Sequence, residues 1–389
     1  MQIKPAVDQT TASRLTLQSA LLLLAVAILL DVIGFCSIVP RSNFSSNSAF
    51  YIEMAQHGTN SEGPPFRYRS LVPFVARHLP LPADQALVVI SHVSLVGCLF
   101  LAMLICQRVG LSTPACIFGA VALFCSRAFI YNFVNPYMTD ALALLAIFAM
   151  VYAYIEGREA AFGIAAVVGV LAHEITIFIV PAIVFSRRWK RGLAVCLATA
   201  AVLVFTRFWL GAGYAGSLKK EFLFVSVHLS HPVDWLKAVV LTWYLLWPLA
   251  AMGIAILPRK RFPLLVCAVL LTGGALFLSS FVLDTERTYS ILAPVIAVGA
   301  ATVFDVLWKR GRAKAIGLLT FPLAGIASAE AYMTGSRDLK VLAVCSIPAL
   351  IYVVYILRTC FGEIREGCRM HVAAAQRFFS DLTAGGDPT

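Results

Sequence analysis

The chain has 389 residues, 60% hydrophobic and 13% charged, with a net charge of +11 and a mean hydropathy of +0.84. A soluble domain carries roughly a quarter charged residues, so these values exclude a soluble enzyme, a DNA-binding domain and an extracellular repeat protein. They specify an all-α polytopic membrane protein, whose positive excess belongs to short cytoplasmic loops and not to a nucleic-acid partner.

In chain order, the first apolar run, Leu15 to Val39, reads as a retained span. It is longer than the ~7–15 residue core of a secretory signal, and no small-x-small cleavage pattern follows it. A first outer loop at about 40–84 comes next and carries the cationic stretch GPPFRYRSLVPFVARHLP. Further apolar runs cover roughly 85–106, 112–131, 138–155, 159–186, 192–210, 238–257, 263–283, 288–308, 315–333 and 341–357. With the first run they predict about 11–12 transmembrane helices in residues 1–358, followed by a cytoplasmic tail, 359–389. That tail reads equally as a short surface helix or as a frayed end.

Basic clusters punctuate the runs at 187–191, 259–261 and 309–314 and again in the tail. Short basic loops stay cytoplasmic. All of them fall on one side only if the run 159–186 breaks near His173 and Glu174 into two half-length helices that enter and return. A glutamate in mid-run with Pro181 soon after makes that break, and both termini are then cytoplasmic.

Ionisable residues inside spans are costly and mark sites by default. Under this topology Asp31, Asp140, His173, Glu174, Arg207, Asp284, Glu286 and Arg287 all gather at the outer end, beside Glu53, Arg67 and Arg69 of the first loop. Asp305 is the exception and is expected to pair locally with the basic cluster that follows it. Arginine's planar fork suits phosphate oxygens, and a carboxylate can take the proton of an acceptor hydroxyl. An anionic lipid-linked substrate at the outer interface needs this layout. No cofactor and no metal ligand is assigned. His228, His231 and Asp234 read as polar loop residues, and GAGYAG at 211–216 follows a membrane helix instead of a strand.

The order of several short motifs resembles the GT-C superfamily of membrane glycosyltransferases. They are SAFYIEMAQHG followed by PFRYRSLVPFVAR, then NPYMTDALALLAI, VLAHEITIFIVPAIVF and DTERTYSILAPVIA. Arg69 and Pro73 match an Arg-x-x-x-Pro run, and Thr139 and Asp140 match a Thr-Asp helix start. At an Arg-Glu helix break, His173 replaces the arginine and Glu174 is kept. The first loop departs from the pattern, with no aspartate near Asn47 to Phe50, ahead of Tyr51.

The resemblance implies a GT-C-like fold in a bacterial inner membrane and transfer of a sugar from a polyprenyl-phosphate donor to an envelope glycan or lipid. Glu53, Asp31 and Asp140 are then the catalytic candidates. Arg67, Arg69, His173, Glu174, Arg207, Asp284, Glu286 and Arg287 are the substrate-binding ones. The implied partners are the lipid-linked sugar donor and membrane lipid. A polymerase or ligase of lipid-linked oligosaccharides would need a larger late outer loop. The alternative is a transporter or flippase of an anionic lipid-linked or phosphorylated substrate. Such a protein has paired broken helices in both halves, and the sequence shows one break.

Overall fold

A computed structural model describes residues 16–38, 46–58, 66–186, 188–210, 230–257, 261–279, 285–333 and 339–383. Among them there is no strand, and the chain is an all-α polytopic membrane protein. The helices begin with α1 Leu17–Ser37, α2 Ser46–His57, α3 Leu71–His78 and α4 Ala83–Arg108. Next come α5 Thr113–Phe124, α6 Arg127–Val134, α7 Asp140–Glu156, α8 Glu159–Ala172 and α9 Trp189–Leu210. The second half has α10 Pro232–Trp243, α11 Leu246–Ala255, α12 Arg261–Ser279, α13 Thr285–Tyr289 and α14 Ala293–Arg310. It closes with α15 Arg312–Ile316, α16 Thr320–Met333 and α17 Leu339–Thr383.

Six described helices are long and apolar enough to cross a bilayer, or eight if each of two bent pairs is one span. Of the remaining apolar runs, 138–155 forms the unbroken 17-residue α7, whereas 159–186 is interrupted at His173. Burial separates centre from rim. In the stretch Arg287–Arg310, which ends in α14, 94% of the apolar window is buried, against 17% in α1 and 11% in α9. A helix apolar all round and enclosed by others is a core helix, whereas α1 and α9 turn apolar faces outward. Against α14 pack α4, α5 and α11. The closest approach is at Gly253 and Gly299, where a Cβ on Gly253 would lie 1.8 Å from the Gly299 carbonyl oxygen. Small residues let membrane helices come this near.

The expected break is present. His173 leaves α8 with extended backbone, φ −162 and ψ 129, and caps a 3-10 helix, Glu174–Phe185, by accepting the Ile175 N–H on Nδ1 at 3.2 Å. The 3-10 form rises ~2.0 Å per residue, so this segment reaches about 24 Å, slightly more than the roughly 21 Å of α8. Both limbs run between the same two ends of the bundle. Arg191 at the start of α9 lies 3.9 Å from Glu159 at the start of α8, and Arg207 at the far end of α9 lies 3.4 Å from Glu174. Backbone-close packing at Gly192, whose Cβ would meet the Ile183 carbonyl at 2.3 Å, holds α9 to the returning limb.

The two bent pairs differ from the sequence expectation of a single break. Helices α5 and α6 meet at 59°, and α10 and α11 at 66°. At the first bend Ser126 ends one helix and caps the next, accepting the Phe129 N–H at 3.2 Å. At the second, Pro248 cannot donate to the Tyr244 carbonyl four residues back, so the helix cannot run through. Tyr244 turns the corner at φ 48, a left-handed value, and its hydroxyl is bonded to Ser346.

The basic end is equally well defined. Arg108 pairs with Glu156 at 3.5 Å, and Asp305 accepts from Ser112 N–H at 3.0 Å and from Lys309 at 2.5 Å. The last helix contacts this end through Arg310, which donates to the Thr359 carbonyl at 2.9 Å. From 359 to Thr383 the chain continues the last helix without a break, and 384–389 lie outside the described residues.

Candidate functional site

At the end opposite the basic clusters, six charged or titratable residues from five stretches of chain converge. Arg69 follows the short 3-10 turn Phe66–Tyr68, and Asp140 is the first residue of α7. His173 and Glu174 sit at the break between α8 and its returning limb, Arg207 at the end of α9, and Arg287 in α13.

Arg69 donates from Nε to Glu174 Oε2 at 3.1 Å and from Nη2 to Oε1 at 2.8 Å, a two-point contact that fixes both planes. Its third nitrogen, Nη1, donates to the Tyr51 hydroxyl at 3.1 Å. Arg207 reaches the same carboxylate at 3.4 Å and stacks over Tyr68, 4.2 Å from the ring centroid. Glu174 therefore sits between two guanidinium groups. Arg207 is about a third exposed and forms the rim, while Arg69 is buried behind it.

The second half of the network is centred on Asp140. Arg287 donates to Asp140 Oδ1, and His173 Nε2 lies 3.7 Å from that oxygen. Because His173 Nδ1 accepts the Ile175 N–H, the neutral ring carries its proton on Nε2 and presents a donor there. Four buried polar atoms here have no hydrogen-bond partner among the described residues: Asp140 Oδ2, His173 Nε2, Arg287 Nη2 and, one residue before Asp140, Thr139 Oγ1. Leaving such a group unsatisfied costs roughly 1–3 kcal/mol. Two donors, a carboxylate oxygen and a hydroxyl left open in one place are what a polar ligand would satisfy.

Packing from the second half of the chain supports Arg287. Trp243, fully buried at the α10–α11 bend, donates its indole N–H to the Tyr289 carbonyl at 2.9 Å. Trp247 meets the Tyr289 ring edge-on at 6.1 Å.

Of the sequence-derived candidates, the structure brings together Arg69, Asp140, His173, Glu174, Arg207 and Arg287. It places Glu53 and Asp31 elsewhere. Glu53 is two positions beyond Tyr51 on α2, about 200° around the helix. Tyr51 points inward to Arg69, so Glu53 points outward, 47% exposed and 3.6 Å from His57. Asp31 accepts from His92 Nδ1 at 3.0 Å, joining α1 to α4 beside Phe35 and Phe133. The side chains of Arg67 and Glu286, together with Asp284, His228 and the GAGYAG stretch, lie outside the described residues.

Tyr51, Tyr68 and Thr139 were not singled out from sequence as site residues. The signal for the tyrosines was adjacency: each is an aromatic inside a motif already carrying charge.

No protein-family model and no curated protein matches this chain.

Proposed function

We propose that this protein is a GT-C-type membrane glycosyltransferase that moves a sugar from a polyprenyl-phosphate donor to an acceptor hydroxyl on the outer face. The observation that carries the reading is the set of open buried atoms around Asp140, held among three arginines. Among the described residues the network has three arginines against two carboxylates, one more cation than anions when His173 is neutral, and so favours an anion. Arg207, at the rim, meets the donor phosphate first. Arg287 Nη2 and His173 Nε2 then donate to the phosphate oxygens and stabilise the charge that grows there as the sugar leaves.

The transfer forms a bond between the acceptor oxygen and the sugar's anomeric carbon. It breaks the bond from that carbon to the phosphate oxygen, which departs with the electron pair. The acceptor proton goes to Asp140 Oδ2, the open carboxylate oxygen among the three catalytic candidates. The positive-inside rule puts the arginine network outside and the basic clusters in the cytoplasm, as a donor displayed on the outer face requires. The short motifs of the GT-C resemblance converge here as well, with Arg69, Asp140, His173-Glu174 and Arg287 each drawn from a different one.

A second reading is favoured by the bent pairs α5–α6 and α10–α11, one in each half of the chain. Paired broken helices are the signature of alternating-access transporters. A flippase for the same lipid phosphate would use the arginines for binding alone.

One experiment separates the two. The full-length protein in lipid vesicles receives a polyprenyl-phosphate hexose and a lipid-extract acceptor, and both sugar transfer and movement of polyprenyl phosphate between leaflets are followed. Transfer that falls by roughly 10²–10⁴ in Asp140→Asn, but persists in Glu53→Gln and Asp31→Asn, supports the enzyme. Leaflet exchange without transfer supports the flippase, and transfer that survives Asp140→Asn removes Asp140 as the base.

A further inference from the structure

A second feature lies at the basic end, remote from the network and independent of its role. Between the first turns of α8 and α9 an open groove of about 800 Å³ is lined by Gly163, Val167, Val195 and Ala198. Its size is within the roughly 300–1,000 Å³ that holds a small molecule. Arg158, Arg188 and Arg191 line it as well, with Glu159 as the only acid among the described lining residues. Glu159 lies 3.9 Å from Arg191, which leaves the charge of Arg158 and Arg188 unmatched by any acid among the described lining residues.

The groove opens toward the membrane-facing side. Ile164, in the groove wall, is 68% exposed, and Leu197, next to Ala198 on α9, is 64% exposed. Trp189, itself exposed, carries Lys190 at 5.8 Å from its ring centroid, a pairing suited to the headgroup level. Nor does helix packing demand the glycine in the floor. A Cβ on Gly163 would meet Val195 at 3.6 Å, an ordinary contact. The space is therefore left open without being needed for a close helix crossing.

We propose that this groove binds one anionic phospholipid, its phosphate on Arg158 and Arg188 and an acyl chain along the floor from Gly163 to Ala198. A zwitterionic lipid would add an ammonium beside arginines, and a water-soluble anion would leave the apolar floor empty. Basic pockets between membrane helices on the cytoplasmic side take anionic headgroups for this reason.

The test is native mass spectrometry of the full-length protein, released from neutral detergent with equal amounts of phosphatidylglycerol and phosphatidylcholine of identical chains. One retained phosphatidylglycerol is expected at tenfold or greater preference, since each basic residue near the headgroup is worth about fivefold. The exposed pair of changes Arg158→Gln and Arg188→Gln should erase that preference, and Ala198→Phe should lower retention of both lipids by filling the floor. If Ala198→Phe fails to fold, the surface arginine variant decides alone. The proposal is overturned by equal retention of the two lipids in the unaltered protein, or by a preference that survives the arginine changes. It is also overturned if glycerophosphoglycerol, which lacks acyl chains, binds as tightly as the lipid.

Discussion

Arg69 and Glu174, 105 residues apart in the chain, meet through two parallel hydrogen bonds of 3.1 and 2.8 Å. This contact ties the first loop to the break between α8 and its returning limb. Glu174 is also the shared anion of Arg69 and Arg207, so removing its charge leaves two guanidinium groups facing each other. Glu174→Gln should cost about 3–5 kcal/mol, the usual loss when one partner of a buried pair is removed. The check is thermal unfolding in detergent. A double-mutant cycle with Arg69→Met should give a coupling energy on the order of 0.5–3 kcal/mol, and additivity would show that the pair does not hold the loop.

The stack of Arg207 over Tyr68 makes a separate prediction. Cation–π contacts are worth about 0.5–2 kcal/mol, and here the ring sets the direction of the rim arginine. Tyr68→Leu should weaken binding of polyprenyl phosphate by roughly two- to thirtyfold on that scale, whereas Tyr68→Phe should bind nearly as the unaltered protein does. Equilibrium binding in nanodiscs measures both. Equal loss in the two variants would point to the hydroxyl instead of the ring.

Trp243 supports the site through the backbone of the helix that carries Arg287. Its indole N–H satisfies the Tyr289 carbonyl, two residues beyond Arg287. Trp243→Phe removes this donor and shrinks a buried ring, and loss of the hydrogen bond alone should cost about 0.5–1.5 kcal/mol. Anion binding should fall with stability, and titrations below the unfolding midpoint should show the weaker affinity already in folded protein. Binding that is unchanged while the midpoint drops would confine Trp243 to stability.

Two glycines should respond in opposite directions. A Cβ on Gly253 would lie 1.8 Å from the Gly299 carbonyl oxygen, backbone against backbone, with no side chain able to yield. Gly253→Ala should destabilise the α11–α14 contact by at least about 1–3 kcal/mol. Gly273, in the middle of α12, has open space around it, with nothing within 4 Å of where a Cβ would stand. Gly273→Ala should be neutral or gain up to about 1 kcal/mol from helix propensity. Unfolding midpoints of the two variants against the parent decide both claims.

Part of this was legible residue by residue. The price of a charge in an apolar run is local, so Asp140, His173, Glu174, Arg207 and Arg287 stood out in the sequence, and Glu174 with Pro181 marked the break. Signals for the other two breaks existed as well. Ser126 is a helix-capping residue and Pro248 forbids the bond to Tyr244, but both lie in runs whose apolar character reads as continuous.

By itself the sequence determined the membrane class, the helical limbs on either side of His173 and the residues too costly to bury without a partner. Only the tertiary structure decided which partner each one takes. Asp140 meets Arg287 across 147 residues, and no local pattern encodes a contact at that separation. Helix rotation settled the rest. At 100° per residue, the two positions from Tyr51 to Glu53 turn one side chain into the network and the other away from it. Asp31, equally costly in its run, is satisfied by His92 of a neighbouring helix.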